Sequence, residues 1–225
     1  IPINDVLVER RLYLPFFALV LILFEPLRRV KIRPLYLASA LALVCCVAAF
    51  ATWNRVHVWG NTTDLFRDAV AKAPNKARVH IGYANALYHE GRCQQAVDEF
   101  LTASRLKTPD FVLYFNLGAA YACANRPDDA IAMLTKSLAL RLQAPAFSLI
   151  GQLQSKQGKY VESLASFYSS LIVDSKYSPT YAYRAGVHRA MGHADLAYKD
   201  YMECLRLDPQ NRMAQEGLAS LNKQR

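Results

Sequence analysis

His80-Ile81-Gly82-Tyr83-Ala84-Asn85-Ala86-Leu87, followed by Gly91, Ala96, Phe100, Ala103 and Pro109, sets the reading of this 225-residue chain. The same residue types return three times. Tyr114, Leu117, Gly118, Tyr121, Ala130, Leu134 and Ser137 form a second copy, and Phe147, Ile150, Gly151, Gly158, Tyr160, Phe167 and Ser170 a third. Tyr181, Ala185, Gly192, Ala197, Tyr201, Cys204, Asp208 and Pro209 make the fourth. Ala96 and Ala130 are 34 residues apart, as are Gly158 and Gly192. Each copy holds two apolar runs at helical spacing around a turn, so the unit is a pair of helices. Small residues (Gly118, Gly151, Ala185) sit where two helices approach, and a large one (Phe100, Phe167, Tyr201) plugs the next interface. One pair cannot bury its apolar face alone, so four in a row predict one continuous core.

A helix–turn–helix unit of this length resembles the tetratricopeptide repeat. The resemblance implies an all-α chain with four repeats over residues 77–210 and a closing helix over 211–225, polar on its outer side. Residues 54–76 read as a linking amphipathic helix or a degenerate leading repeat. Thr63-Asp64 supplies its cap, and Leu65, Phe66, Ala69 and Val70 form the face that packs on the first full unit.

The first 53 residues are of another kind. Thirteen uncharged residues run from Leu12 to Phe24 and nineteen from Leu35 to Trp53. At about 1.5 Å per residue the second run reaches about 28 Å, close to the thickness of a bilayer core. A membrane region at 1–53 with apolar helices at about 12–27 and 35–53 follows, so the fold class is an N-terminal transmembrane helical hairpin ahead of an all-α solenoid. Glu25-Pro26 keeps an interfacial or buried helix open for the first run. Arg28, Arg29, Lys31 and Arg33 fill the short link between the runs; the positive-inside rule puts them in the cytoplasm and everything after Trp53 on the opposite face. The expected localisation is an integral membrane protein with repeats in the periplasm or another extracytoplasmic space. The absence of Met and of a basic leader at Ile1-Pro2-Ile3 points to a fragment or a processed chain.

Composition narrows the function classes. With 53% hydrophobic residues, 9 Gly and 10 Pro, the chain is neither a disordered tail, nor a collagen-like fibre, nor a small disulfide scaffold. The net charge of +9 has a largely membrane explanation, since residues 1–76 hold 10 cations against 5 anions. No basic stripe with interleaved stacking aromatics marks a nucleic-acid partner.

No catalytic constellation is visible. The five histidines (His57, His80, His89, His188, His193) lack metal-ligand spacing, and His188 and His193 do not share a helix face; neither cofactor nor metal is expected. Cys45-Cys46 reads as packing inside an apolar run, and Cys204 occupies a repeat packing position. Cys93 and Cys123 fall at one edge of the solenoid and can bridge in an oxidising compartment, although free buried thiols are the reading the sequence favours. Asn61-Thr62-Thr63 matches a glycosylation sequon of little weight. The inner groove, formed by the first helices, should expose Arg78, Asn85, Tyr88, His89, Phe115, Ala119, Gln152, Lys156 and Arg189. Such a groove suits a protein or peptide partner. The ordered Lys/Asn set that clamps a C-terminal carboxylate is missing.

Asn4-Asp5-Val6-Leu7-Val8-Glu9-Arg10-Arg11-Leu12-Tyr13-Leu14-Pro15 ahead of an apolar run resembles an element of the transmembrane and tetratricopeptide-repeat O-mannosyltransferase-like family. The junction from Trp59 through Asp64-Leu65-Phe66-Arg67-Asp68-Ala69-Val70 to Pro74-Asn75-Lys76-Ala77-Arg78-Val79-His80 is similar to that family's passage from its last membrane helix into its first repeat. The resemblance implies a GT-C-type membrane protein with a lipid-linked sugar donor and extracytoplasmic repeats, of which this chain is the C-terminal part. The family's acidic catalytic loop has no counterpart here, so no catalytic residue carries over. Two functions are expected: the acceptor-holding end of a glycosyltransferase, or a non-catalytic membrane-anchored scaffold or assembly subunit of a membrane complex.

Overall fold

The computed structural model describes residues 36, 39, 42–50, 52–53 and 61–222. The chain divides into two units, Ile1–Leu65 and Phe66–Arg225. In the first unit the described residues from 36 to 53 are helical, and their large apolar side chains are open on every side: Leu43 is 66% exposed and Phe50 67%. Cys45 and Cys46 are free thiols and exposed as well. Ser39 and Thr52 donate to carbonyls one turn back, at Tyr36 (3.0 Å) and Ala48 (2.8 Å). No helix among the described residues is long and apolar enough to cross a membrane. The expected span at 12–27 and the link carrying Arg28, Arg29, Lys31 and Arg33 lie outside the described residues.

From Asn61 onward, ten helices follow one another: α1 (Thr62–Lys72), α2 (Ala77–His89), α3 (Cys93–Leu106), α4 (Phe111–Cys123), α5 (Pro127–Leu140), α6 (Ala144–Lys156), α7 (Tyr160–Val173), α8 (Ser178–Ala190), α9 (Ala194–Leu207) and α10 (Arg212–Asn222). Local chemistry explains their ends. Asn61, two residues ahead of the expected cap, accepts the Thr63 N–H at 2.9 Å through its side-chain oxygen. Asp110 does the same for Leu113 at 2.9 Å, and that backbone N–H, ahead of the Lys107 ammonium, holds its carboxyl below the usual range. Pro127, Pro145 and Pro179 stand in first turns, where a missing N–H costs nothing. The turn inside each pair needs a left-handed residue. Gly91, Gly158 and Gly192 supply it at φ 74°, 76° and 80°, and Asn125 does so in the second pair at 58°.

Helices α2 to α9 pair as α2/α3, α4/α5, α6/α7 and α8/α9, and α10 closes the row, giving an all-α tetratricopeptide-repeat solenoid. The large plugs Phe100, Leu134, Phe167 and Tyr201 are all buried. Two of them are seen against the small residue of their own pair: a β-carbon on Gly118 would come within 2.7 Å of Leu134, and one on Gly151 within 2.7 Å of Phe167. Phe66 on α1 stands 34 residues before Phe100 and packs on Gly82, so α1 behaves as the second helix of a leading repeat. Where the second helix carries Ser in place of Ala, the hydroxyl is satisfied across the pair: Ser137 donates to the Phe111 carbonyl (2.6 Å), Ser163 to Gly151 (2.7 Å) and Ser170 to Ala144 (2.9 Å).

The core is not continuous, contrary to the sequence expectation. One apolar cluster runs from Ala84 to Leu153, and a second links Ala182, Ala185, Ala197, Tyr201, Cys204, Ala214 and Leu221. Between them the α7–α8 junction is polar: the Ser170 and Thr180 hydroxyls are 2.8 Å apart and buried, and the Phe167 and Tyr183 rings stack at 6.5 Å. One hydroxyl pair and an aromatic stack stand there.

Candidate functional site

The first helices α2, α4 and α6 lie side by side and present equivalent faces. Residues three and four apart on such a helix share a face, which groups Asn85/Tyr88/His89 on α2, Phe115/Asn116/Ala119 on α4 and Pro145/Leu149/Gln152 on α6. These nine residues, with Phe100 below and Tyr177 from the turn before α8, line one cavity of about 310 Å³. Its walls are half-buried amides, aromatic rings and aliphatic carbon. No Lys, Arg, Asp or Glu lines it. Burial, and secondarily the neighbouring Tyr183, pushes the Tyr177 phenol up, so it stays protonated at neutral pH as a hydrogen-bond donor. The Tyr88 and His89 rings meet edge to face at 5.7 Å.

The cavity gathers Asn85, Tyr88, His89, Phe115, Ala119 and Gln152 of the expected groove and leaves out the three cations. Arg78 and Lys156 are exposed outside it. Arg189 turns to the closing helix and donates to Ser220 Oγ at 2.8 Å, because α10 follows the last repeat where another first helix would stand. Sequence reasoning missed Asn116, Pro145 and Leu149, which the same i, i+3 and i+4 rule would have found. Tyr177 comes from a non-periodic turn and had no signal.

Two further groupings lie elsewhere in the solenoid. Cys93, at the start of α3, and Cys123, at the end of α4, are joined as a disulfide with α-carbons 5.6 Å apart. Cys123 is exposed and Cys93 only partly covered, so the favoured reading of free buried thiols gives way to a cross-link between the first two repeats. In the fourth repeat, Arg184 holds both carboxylate oxygens of Asp200 at 2.8 and 2.6 Å, with its guanidinium 4.8 Å from the Tyr168 ring centre. His188 is buried beside this pair. Its Nε2 is 3.9 Å from Asp200, but Arg184 already neutralises that carboxylate, and burial pulls the imidazole below its ordinary pKa. The His188 and His193 rings stand 6.0 Å apart. No group of three or more potential metal ligands occurs among the described residues.

A tetratricopeptide-repeat family model matches residues 180–211, the fourth unit. The Protein O-mannosyl-transferase TMTC3 of Homo sapiens is 25% identical over 142 residues, 61% of this chain and 16% of that protein. Tmtc3 of Drosophila melanogaster, also a Protein O-mannosyl-transferase, is 28% identical over 148 residues, 64% of this chain and 16% of that protein. The chain therefore spans about one sixth of the length of these relatives. Among solved structures, TTC0263, a thermophilic tetratricopeptide-repeat protein of Thermus thermophilus, superposes with a TM-score of 0.61 at 17% identity, over 75% of this chain and 94% of that one.

Proposed function

We propose that this chain is the repeat-bearing, C-terminal part of a membrane-embedded glycosyltransferase of the GT-C type, and that its repeats hold a segment of the acceptor protein on the extracytoplasmic side. The observation that carries the reading is the cavity that α2, α4 and α6 build together, because a site spread over three repeats suits an extended chain. The kinship with O-mannosyl-transferases supplies the reaction class, protein O-glycosylation, which parts of the protein other than these repeats would perform.

Two observations support the placement. A disulfide between exposed or partly covered cysteines survives in an oxidising compartment. A helix apolar on all sides, with its hydroxyls turned back onto its own carbonyls, is suited to lipid, where no water satisfies polar groups. The basic link at Arg28, Arg29, Lys31 and Arg33 then sits in the cytoplasm.

The test is a knockout complemented with wild-type or Phe115→Lys protein, read as O-glycosylated peptides from membrane and secreted proteins. Loss in the knockout, rescue by wild type and failure of the variant are expected. Unchanged glycosylation in the knockout refutes the transferase and leaves the membrane-anchored scaffold. Protease added outside sealed, right-side-out vesicles should cut at Lys156 and Lys176; cleavage only from the cytoplasmic side refutes the orientation.

A further inference from the structure

Each helix of the solenoid is joined to the next by three or four residues, so the chain reverses at every junction. The links between pairs therefore line one edge and the turns inside pairs the other. The two edges differ in chemistry. Counted from two residues before each link to two residues after it, the stretches 71–78, 105–112, 139–145, 172–179 and 206–213 hold nine Lys or Arg against three Asp. The rest of residues 71–222 holds eight cations against ten anions, so the positive charge of the solenoid is concentrated at the link edge. Exposed apolar side chains follow the same division. Among the described residues from 66 onward, seven of the twelve large hydrophobic side chains that stand open fall in the link stretches, and one, Val161, falls in the turn stretches counted alike. The later links bring both kinds together: Leu106 beside Lys107, Leu142 beside Arg141, Ile172 near Lys176 and Met213 beside Arg212. Ile172 is 85% exposed and Leu142 64%. The three acids are turned back onto backbone N–H groups, Asp110 onto Leu113 (2.9 Å), Asp174 onto Lys176 (2.9 Å) and Asp208 onto Gln210 (3.2 Å). Lys72, Lys107 and Arg206 meet Asp68, Asp110 and Glu203, exposed pairs of a kind that contributes little.

We propose that the link edge is a docking surface for an anionic lipid bilayer, with its cations at the headgroups and its apolar tips just beneath them. A protein-docking core is contiguous and poor in charge. Here the apolar tips come one link at a time, about 10 Å apart as packed helices are, and each has a cation at its side. None of Leu106, Leu142, Ile172 and Met213 lines the cavity on α2, α4 and α6. A bilayer interface accepts such separate insertions, because Lys and Arg lay their stems along apolar surface while their charged heads reach the headgroups. One Lys or Arg near an anionic surface strengthens the contact about fivefold, so the four links act together where one would not hold. The contact is reversible and weakens as salt screens the cations, so protease still reaches Lys176 whenever the edge lifts. The inference stands apart from the transferase reading, since it uses neither the cavity nor the apolar start of the chain.

The experiment uses the full chain reconstituted into vesicles of phosphatidylcholine, alone or with about one third phosphatidylserine, whose acyl chains are brominated near the headgroup. Trp53 and Trp59 are replaced by Phe, and a single reporter is read by fluorescence quenching, either Leu142→Trp on the link edge or Val161→Trp on the turn edge. The Leu142→Trp reporter should be quenched in the anionic vesicles, about fivefold or more less in the neutral ones, and progressively less as salt rises. The Val161→Trp reporter should stay bright in both. Lys107→Gln, Arg141→Gln, Lys176→Gln and Arg212→Gln together should lower the docked-to-free ratio about a hundredfold while leaving the helical circular dichroism unchanged. Quenching that is equal in neutral and anionic vesicles, equal at the two reporters, or unmoved by the four substitutions overturns the inference. A Leu142→Trp signal that responds to soluble poly-glutamate and not to vesicles assigns the edge to an acidic protein and overturns it too. None of these outcomes bears on the knockout, which tests the transferase separately.

Discussion

The same substitution at two helical glycines should have opposite consequences. Replacing Gly by Ala inside a helix stabilises by about 0.5–1 kcal/mol where space allows. Gly186 on α8 offers that space, since a β-carbon there meets nothing within 4 Å. At Gly118 the added carbon comes within 2.7 Å of Leu134 Cγ, 3.0 Å of its Cδ2 and 3.2 Å of the Ala130 carbonyl oxygen. Leu134 is fully buried and the carbonyl belongs to helix α5, so neither retreats without moving the pair. Overpacking of this kind costs about 1–3 kcal/mol. Propensity cancels between the two variants, which should therefore differ by about 1–3 kcal/mol, with Gly186→Ala at or above wild type and Gly118→Ala at or below it. Ala84 and Ala185 hold the register of Gly118 in the first and fourth repeats, so the fold tolerates a methyl where the pair is built around it. That places Gly118→Ala near the lower end, and Gly118→Leu well beyond it. Urea titration by far-ultraviolet circular dichroism ranks the variants, and hydrogen exchange at the Ala130 and Leu134 amides locates the damage. Equal stabilisation by both alanines would show that helix separation at α4/α5 is not set by this contact.

Breaking the Arg184–Asp200 pair strands a buried carboxylate, so Arg184→Met should cost about 3–5 kcal/mol, while Arg184→Met with Asp200→Leu recovers most of it; a single variant as stable as wild type in urea refutes the pairing. The Cys93–Cys123 bond closes a loop between cysteines 30 apart, worth about 3.6 kcal/mol in chain entropy. Protein purified without reductant should therefore resist alkylation at both positions and lose urea resistance on reduction, whereas alkylation of both in the untreated protein excludes the bond. Burial holds the folded His188 pKa below its ordinary 6.5, so as pH falls past that value the unfolded chain takes up a proton before the folded one does. The unfolded state then holds the extra proton, so stability is fully present above that pH and declines as pH drops beneath it. His188→Gln should flatten the acid limb of a stability profile between pH 7 and 5, and an unchanged slope counts against the buried neutral ring.

What was legible in the sequence is what the packing forces to recur. Phe66, Phe100, Leu134, Phe167 and Tyr201 follow one another at 34, 34, 33 and 34 residues because each must fill the same gap. The left-handed turns were legible at Gly91, Gly158 and Gly192 but not at Asn125, since Asn adopts that conformation without advertising it. The Arg184–Asp200 pair escaped because it joins two helices 16 residues apart with no counterpart in the other repeats to reveal it.

The cavity obeys the same logic in reverse. Gly82, Asn116, Leu149, Tyr183 and Gly217 share one register of the first helix, the one facing the plug of the preceding pair. At the two ends the residue is glycine, and the plugs Phe66 and Tyr201 close directly onto it. At Tyr183 an aromatic ring stacks on Phe167 and seals the third interface. Only at Asn116 and Leu149 does the register hold a side chain that neither closes on its plug as glycine does nor seals the interface with a ring, and both line the cavity. A position that packing leaves free to vary is therefore where the opening forms. The residues that recur build the solenoid, and a register that does not recur decides where the opening forms.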